Sequence, residues 1–314
     1  MLVHRSLWEA ARAGTLRGGA VAVGNMDGVH LGHRRLVEVA RELAPAGAGV
    51  LTFEPHPVRV LRPQLAPPLI TPLTRKLELL AGLGLAAVVV HPFDGAYAST
   101  PAAEFVARDL SDRLGVAHVV VGQDFTAGHE RARVEALAPL LAARGIALHV
   151  VEPVTADGLV VSSTKIREFL LEGMVEAAGL LLARPYDIEG RVVRGAGRGR
   201  AFGFATANVE VEQLLPANGV YVVRARVGAA GVPGGAGEER GGVCNVGVKP
   251  TVEAGGGVST EVHLLDFDGR DLYGSAIRVA FLARLRDERR FPSVDALRAQ
   301  IAADVAEARA VLAR

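Results

Sequence analysis

The chain has 314 residues, half of them hydrophobic and few aromatic, with 35 basic and 34 acidic side chains and a formal net charge of +1. That length suffices for two ordinary domains, the composition excludes a disordered chain, and the near-neutral balance supplies no overall field to attract nucleic acid or an anionic membrane. Cys244 is the single cysteine, which excludes an internal disulfide and a multi-cysteine zinc site and suits a reducing interior. The N-terminus lacks the apolar segment of a signal peptide, and the longest apolar run, Leu85 to Val90, is too short to cross a bilayer. A cytoplasmic protein is expected, monomeric or weakly homo-oligomeric, with neither membrane nor nucleic acid as partner.

Up to about Leu182, short apolar runs alternate with aliphatics at helical spacing. Ala20 to Val23 predicts a strand, Leu31 to Leu43 a helix, Val50 to Phe53 a strand and Thr74 to Gly82 a helix. Ala86 to Val90, His118 to Val121 and Ala147 to Val151 continue the strands, and Pro101 to Leu114 and Ala132 to Arg144 the helices. All five strands read as buried on both faces. The alternation implies an α/β domain, a parallel sheet with helices on both sides, whose ligands bind at the carboxyl ends of the strands.

The segment "GNMDGVHLGH", residues 24 to 33, sits at one such end. With Leu31 opening a helix, His30 and His33 fall on one face of its first turn, beside free backbone N–H groups. That is an anion site, with imidazoles to meet phosphate oxygens; two surface histidines near a helix start is the plainer alternative. A zinc site is disfavoured, because no carboxylate lies at the metalloprotease spacing. "TFEPHP" (52 to 57) and "GQDFTAGH" (122 to 129) follow other strand ends. "VSSTKIREFL" (161 to 170) brings three hydroxyls, Lys165 and Arg167 to another helix start. All four segments map to one rim of the sheet.

After "RPYDIEG" the texture changes. Tyr221 to Val227, Glu261 to Phe267 and Val279 to Arg286 alternate with period two, which predicts an antiparallel sheet or small barrel. A helix capped by Ser293 follows, with Val294, Leu297, Ile301, Val305, Ala308 and Leu312 on one stripe. The domain boundary is expected near Ala183 to Pro185, giving 1–183 and 184–314. Residues 228 to 242, "GAAGVPGGAGEERGG", read as a solvated hairpin tip. "GAGRGRAFG" (195 to 203) follows no solid strand and is not a dinucleotide fingerprint; it reads equally as a flap over phosphates or a bare turn. Thr206 and Asn208, two apart on an extended segment, face one side, where they could reach a magnesium ion or make a cross-strand hydrogen bond.

The order HxGH, TFEPHP, G-x-D-F and SSTKIR resembles the FMN adenylyltransferase module of bacterial bifunctional riboflavin kinase/FAD synthetases, members of the HxGH nucleotidyltransferase superfamily. "GRGRAFGFATAN", "GVY", "CNVGVKPT", "EVHLLDFDGRDLYG" and "RDERRF" resemble, in the same order, the riboflavin kinase module. The resemblance implies a Rossmann-like first domain and a six-stranded β-barrel second domain. It implies that riboflavin plus ATP gives FMN, and FMN plus ATP gives FAD and pyrophosphate.

By the same resemblance His30 and His33 stabilise charge on the ATP phosphates, and Gly24, Asn25, Asp27, Gly28, Ser163, Thr164 and Arg167 line them. Phe53, His56, Asp124 and Phe125 meet the flavin. In the second module Gly195, Gly197 and Gly199 serve ATP, Thr206 and Asn208 help bind Mg2+, and Glu261 is the base for the ribityl 5′-hydroxyl, an inward carboxylate of the barrel. Met26 stands where the family usually has phenylalanine, Ala205 where it has proline, and Thr126 and Ala127 where it is bulkier and more basic. Another nucleotidyltransferase with an accessory barrel, or a non-catalytic flavin-binding regulator, are the alternatives.

Overall fold

The protein is described from a computed structural model over residues 1–194, 206–228, 237–248, 258–267 and 271–314. Two elements precede the first one expected: β1 (Leu2–His4) and α1 (Leu7–Ala13), whose cap Ser6 accepts a hydrogen bond from the Glu9 N–H. Three residues are too few for a period to register.

The strands β2 (Ala20–Val23), β3 (Ala48–Glu54), β4 (Ala87–Pro92), β5 (His118–Gly122) and β8 (Ala147–Val151) fall where the apolar runs predict them. Together with β1 they form one sheet in the order β1-β4-β3-β2-β5-β8, each pairing parallel. Short β6 (Thr126–Ala127) and β7 (Ala132–Arg133) pair as a hairpin beyond β5, and β9 (Thr155–Ala156) and β10 (Leu159–Val160) as another beyond β8. The helices between are α2 (Leu31–Leu43), α3 (Pro57–Leu61), α4 (Leu73–Ala81), the brief α5 (Gly95–Ala98) and α6 (Ala102–Glu104), and α7 (Val134–Ala142).

Alternate residues of one strand serve two cores. Val21, Val23, Leu51, Val89 and Val119 pack with α1 and α7, while Ala20, Ala22, Val50, Val88 and Val120 pack with α2 and α4. Burial of both faces removes the polar positions that would otherwise mark a period of two, so these strands read as solid apolar runs. One of the five does not conform: β8 is the sheet edge, with Ala147 and Val150 exposed. The chain builds β2, β3 and β4 outward in one direction and then returns to place β5 on the other side of β2. The loop after β2 therefore lies at the switch point, where open α/β sheets leave a crevice.

The helix expected over 101–114 is mostly π-helical, from Phe105 to Leu114. Its wider turn encloses Asp109, which is fully buried and held by Arg113 at 2.7 Å, Arg108 at 2.9 Å and the Tyr97 hydroxyl at 2.9 Å. A buried carboxylate needs that many donors.

Contacts divide the chain into two compact units, Met1–Ser163 and Thr164–Arg314. The second contains nearly all of α8 (Ser163–Leu171), then α9 (Val175–Leu182) and a closed barrel in the order β11-β12-β15-β14-β13-β16. Its strands are β11 (Tyr186–Val193), β12 (Thr206–Glu210), β13 (Gly219–Val227), β14 (Glu238–Val248), β15 (Val258–Leu264) and β16 (Ala276–Arg286). Ile188, Tyr221, Cys244, Val246, Val262, Val279 and Phe281 are buried within this barrel unit. Outside it, α10 (Val294–Leu312) is capped by Ser293 as expected and packs Val305, Ala308 and Leu312 against Val220, Val222 and Val243. Asp304 of α10 binds Arg286 at 2.7 Å. The solvated tip expected over 228–242 is shorter than that, because residues 238–242 already belong to β14; residues 229–236 lie outside the described ones.

Candidate active sites

In the first unit the loop from Gly24 to His30 is pinned by its own side chains. Met26 and Val29 are fully buried in the core and both adopt left-handed backbone, φ 52° and 43°. A β-branched residue at positive φ is strained, and such strain persists only where surrounding contacts over-determine it. Those contacts are present. The Asn25 carbonyl accepts from Lys76 Nζ at 2.9 Å and from Thr52 Oγ1 at 3.0 Å, and the Asp27 carbonyl accepts from Ser163 Oγ at 2.9 Å. The Asp27 carboxylate accepts from the Ile70 N–H at 3.1 Å and the Thr71 N–H at 3.0 Å. Asp27 is 1% exposed, so its carboxylate anchors the loop from within. Met26, the departure from the usual phenylalanine, keeps that apolar plug.

His30 caps α2: its Nδ1 accepts the His33 N–H at 3.4 Å. The neutral ring then carries its proton on Nε2. The two imidazoles stack with centroids 3.6 Å apart and planes at 19°. Gly32 permits this, since a Cβ there would stand 3.1 Å from Cε1 and 3.2 Å from Nδ1 of the His30 ring. Burial, the neighbouring His30 and then Lys76 hold the His33 pKa well below its usual range, so the His33 ring is neutral at pH 7. With His33 neutral, the stacked pair at this helix N-terminus avoids the repulsion of two imidazolium rings.

The remaining residues expected at the rim have their own local settings. Phe53, the penultimate residue of β3, forms an aromatic cluster with Phe93 (5.6 Å) and Tyr97 (5.9 Å). His56 caps α3 by accepting the Val58 N–H at 3.3 Å. Asp124 is exposed after β5, and Phe125 packs against the core. Thr126 and Ala127 form β6, so their small size suits a hairpin pairing with Ala132 and Arg133. Ser163 opens α8, and Thr164 and Arg167 share one face of that helix at a spacing of three.

The barrel unit has its own polar cluster. Register sets Asn208 opposite Glu261, and Glu261 opposite Asn245 on the next strand. Directly paired residues hold their Cβ atoms about 5 Å apart on the same face, so one carboxylate stands between two amides. This face is the outer one. Thr260, Val262 and Leu264 are buried and alternate with Glu261, which excludes the inward orientation expected for that carboxylate. Asn245 Nδ2 also donates to Glu288 Oε1 at 3.3 Å. Thr206, two residues before Asn208, shares its face. Among the described residues the side chains of Thr206, Asn208 and Glu261 make no hydrogen bond. A hydroxyl, amide oxygens and carboxylates are the hard donors Mg2+ prefers, so this set fits that ion. No group of three or more histidine, cysteine or carboxylate side chains suited to a metal exists among the described residues. Gly195, Gly197, Gly199 and Ala205 lie outside the described residues.

Residues 13–165 match the family model described as FAD synthetase, and residues 182–312 the one described as riboflavin kinase. A curated bifunctional riboflavin kinase/FMN adenylyltransferase from Pseudomonas fluorescens is 39% identical over 95% of this chain and 94% of its own. The protein of that name from Bacillus subtilis is 37% identical over 92% and 90%. The chain belongs to this bifunctional family. Within it, the fold repeats the expected division, a parallel α/β part followed by a closed antiparallel barrel and a final helix. A solved structure described as a macrolide-efflux protein from Streptococcus pneumoniae superposes with a TM-score of 0.83 at 31% identity, over 93% of this chain and 94% of that one. Among the described residues of this chain no helix is long and apolar enough to cross a membrane.

Four residues of these clusters escape the sequence: Thr52, Lys76, Asn245 and Glu288. Lys76 reads as one more charge on an amphipathic helix, although it is 2% exposed. Asn245 and Glu288 lie in quoted segments, but only strand register sets Asn245 opposite Glu261, and only the Asn245 side chain links Glu288 to that row.

Proposed function

We propose that the first unit transfers the adenylyl group of ATP to FMN and that the barrel transfers the γ-phosphoryl group of ATP to riboflavin, both in the cytoplasm. The functional boundary is taken near 183/184, close to residue 182 where the riboflavin kinase match begins, although α8 and α9 pack with the barrel unit. One observation carries this reading: the His30–His33 pair belongs wholly to the first unit, and the Asn208–Glu261–Asn245 row wholly to the second.

In the adenylyl transfer, an FMN phosphate oxygen attacks the α-phosphorus of ATP and the bond to pyrophosphate breaks. Charge builds on the phosphate oxygens, where Nε2–H of His30, His33 and the free N–H groups of the α2 N-terminus stabilise it. Gly24, Asn25 and Gly28 let the phosphates approach the backbone, and Ser163, Thr164 and Arg167 complete the ATP side. Phe53, His56, Asp124 and Phe125 receive the flavin. Asp27 acts through the loop it anchors.

In the kinase step, Glu261 takes the proton of the ribityl 5′-hydroxyl as that oxygen attacks the γ-phosphorus and ADP leaves. The carboxylate lacks a hydrogen-bond donor among the described residues, which leaves its lone pairs for that proton. Thr206 and Asn208 would hold Mg2+, with Gly195, Gly197 and Gly199 at the nucleotide. When bound, that ion neutralises phosphate charge.

The test follows flavins by chromatography after incubation with riboflavin, ATP and magnesium. Glu261→Gln abolishes FMN formation and spares conversion of FMN to FAD; His33→Ala does the reverse. If either variant stops both reactions while folded, the assignment of sites is refuted.

A further inference from the structure

We propose that Lys76 is a positioning residue for adenylyl transfer: its ammonium, sealed on the buried side of the 24–30 loop, holds the Asn25 carbonyl and sets a fixed positive charge behind the histidine pair. The inference rests on the reading of His30 and His33 as the adenylyl-transfer centre.

Lys76 lies in the middle of α4, whose exposed side carries Arg75 paired with Glu78 at 3.0 Å. One residue further round the helix, Lys76 turns inward and is 2% exposed. Its Nζ donates to the Asn25 carbonyl at 2.9 Å, beside the fully buried Thr52, whose hydroxyl donates to the same oxygen at 3.0 Å. Two donors on one carbonyl turn the Asn25 peptide inward, at the residue before the left-handed Met26. The height of the loop over the sheet, and with it the start of α2, is therefore set from below.

The choice of partner is informative. A buried ammonium ordinarily needs a carboxylate in contact, and burial without one is costly. Here the hydrogen bond runs to a neutral carbonyl: burial lowers the Lys76 pKa from the ordinary amine range, Asp27 and Glu54 offset part of that at longer range, and Asp27 is engaged with the Ile70 and Thr71 N–H groups. The charge is not cancelled by a contact ion pair, so its field reaches the site. That field favours an anion above the loop and keeps a proton off His33, which faces two cationic or potentially cationic neighbours, His30 and Lys76.

The experiment compares Lys76→Met, Lys76→Gln and His33→Ala for FMN adenylylation across pH, with the riboflavin kinase rate of the same samples alongside. Lys76→Met should lower kcat for adenylylation by about 100-fold with KM little changed, the scale of a misplaced catalytic group. Lys76→Gln keeps a donor for the carbonyl and drops the charge, so it should recover part of kcat, while the inflection assigned to the histidines moves to higher pH. The kinase rate should be unchanged throughout. Wild-type kcat and an unmoved pH profile in either lysine variant would overturn the proposal, as would a parallel fall of both activities, which marks a purely structural lysine. If His33→Ala itself leaves adenylylation intact, the underlying reading of the site fails instead.

Discussion

Gly32→Ala opposes two effects that usually run together. At the second position of α2, replacing glycine by alanine lowers the conformational freedom of the unfolded chain and favours the helix by up to about 1 kcal/mol. In a unit of this size that raises Tm by about 2–4 °C. The new Cβ, however, stands 3.1 Å from the His30 ring, with the Val161 carbonyl in ordinary van der Waals contact at 3.8 Å. The ring must yield by a few tenths of an ångström, and its bond to the His33 N–H is already long at 3.4 Å. A displacement of about 1 Å costs about 100-fold in rate, so a few tenths should cost on the order of tenfold. The assay pairs thermal denaturation with FMN-to-FAD conversion. A more stable protein, about tenfold slower in adenylylation and unchanged as a kinase, is expected. Adenylylation at the wild-type rate would refute the steric role given to this glycine, and with it the importance of the stacked histidine geometry.

Three further outcomes follow from the same structure. Asp304→Ala removes the carboxylate that binds Arg286 and accepts from Gln300 Nε2 at 2.7 Å; it should destabilise the barrel unit by about 3 kcal/mol, read as a lower urea midpoint with α10 content lost first. Asn208→Ala should raise the magnesium concentration giving half-maximal kinase rate and leave adenylylation untouched, whereas an unchanged requirement would remove Asn208 from the metal site. His33 titrates near 6.5 when unfolded and lower when folded, so the unfolded chain binds the proton first as pH falls. Stability therefore declines from about pH 6.5 downward, and His33→Gln should flatten that decline in denaturation curves between pH 7.5 and 5. His91 and His149 shift the same way, so part of the slope remains.

Much of the α/β part was legible because a strand buried on both faces must be apolar at every position. β2 begins and ends where its run does, β8 does so too although it is the half-exposed edge, and α2 spans the predicted thirteen residues. The π-helical turn was not, since apolar spacing over 105–114 does not distinguish it from an α-helix. In the barrel, β11 and β14 were missed. Gly190 explains the first: a side chain there would meet the Glu210 carbonyl at 2.2 Å, and a glycine at a close crossing interrupts the apolar alternation. The glycines at 241, 242 and 247 hide β14 in the same way.

The histidine pair, the run of hydroxyls before Arg167 and the Thr206–Asn208 pair were named from sequence because residue type and short spacing carry their chemistry. Which way they face was decided only by tertiary structure. Asp27 turned inward to two amide N–H groups, Glu261 turned outward between two asparagines, and Lys76 left the solvent for the underside of a loop. Each depends on partners far along the chain, 43 and 44 residues for Asp27 and 51 for Lys76. Local sequence determines which groups a segment offers; the desolvation cost of burying them, settled only when distant segments meet, determines where they point.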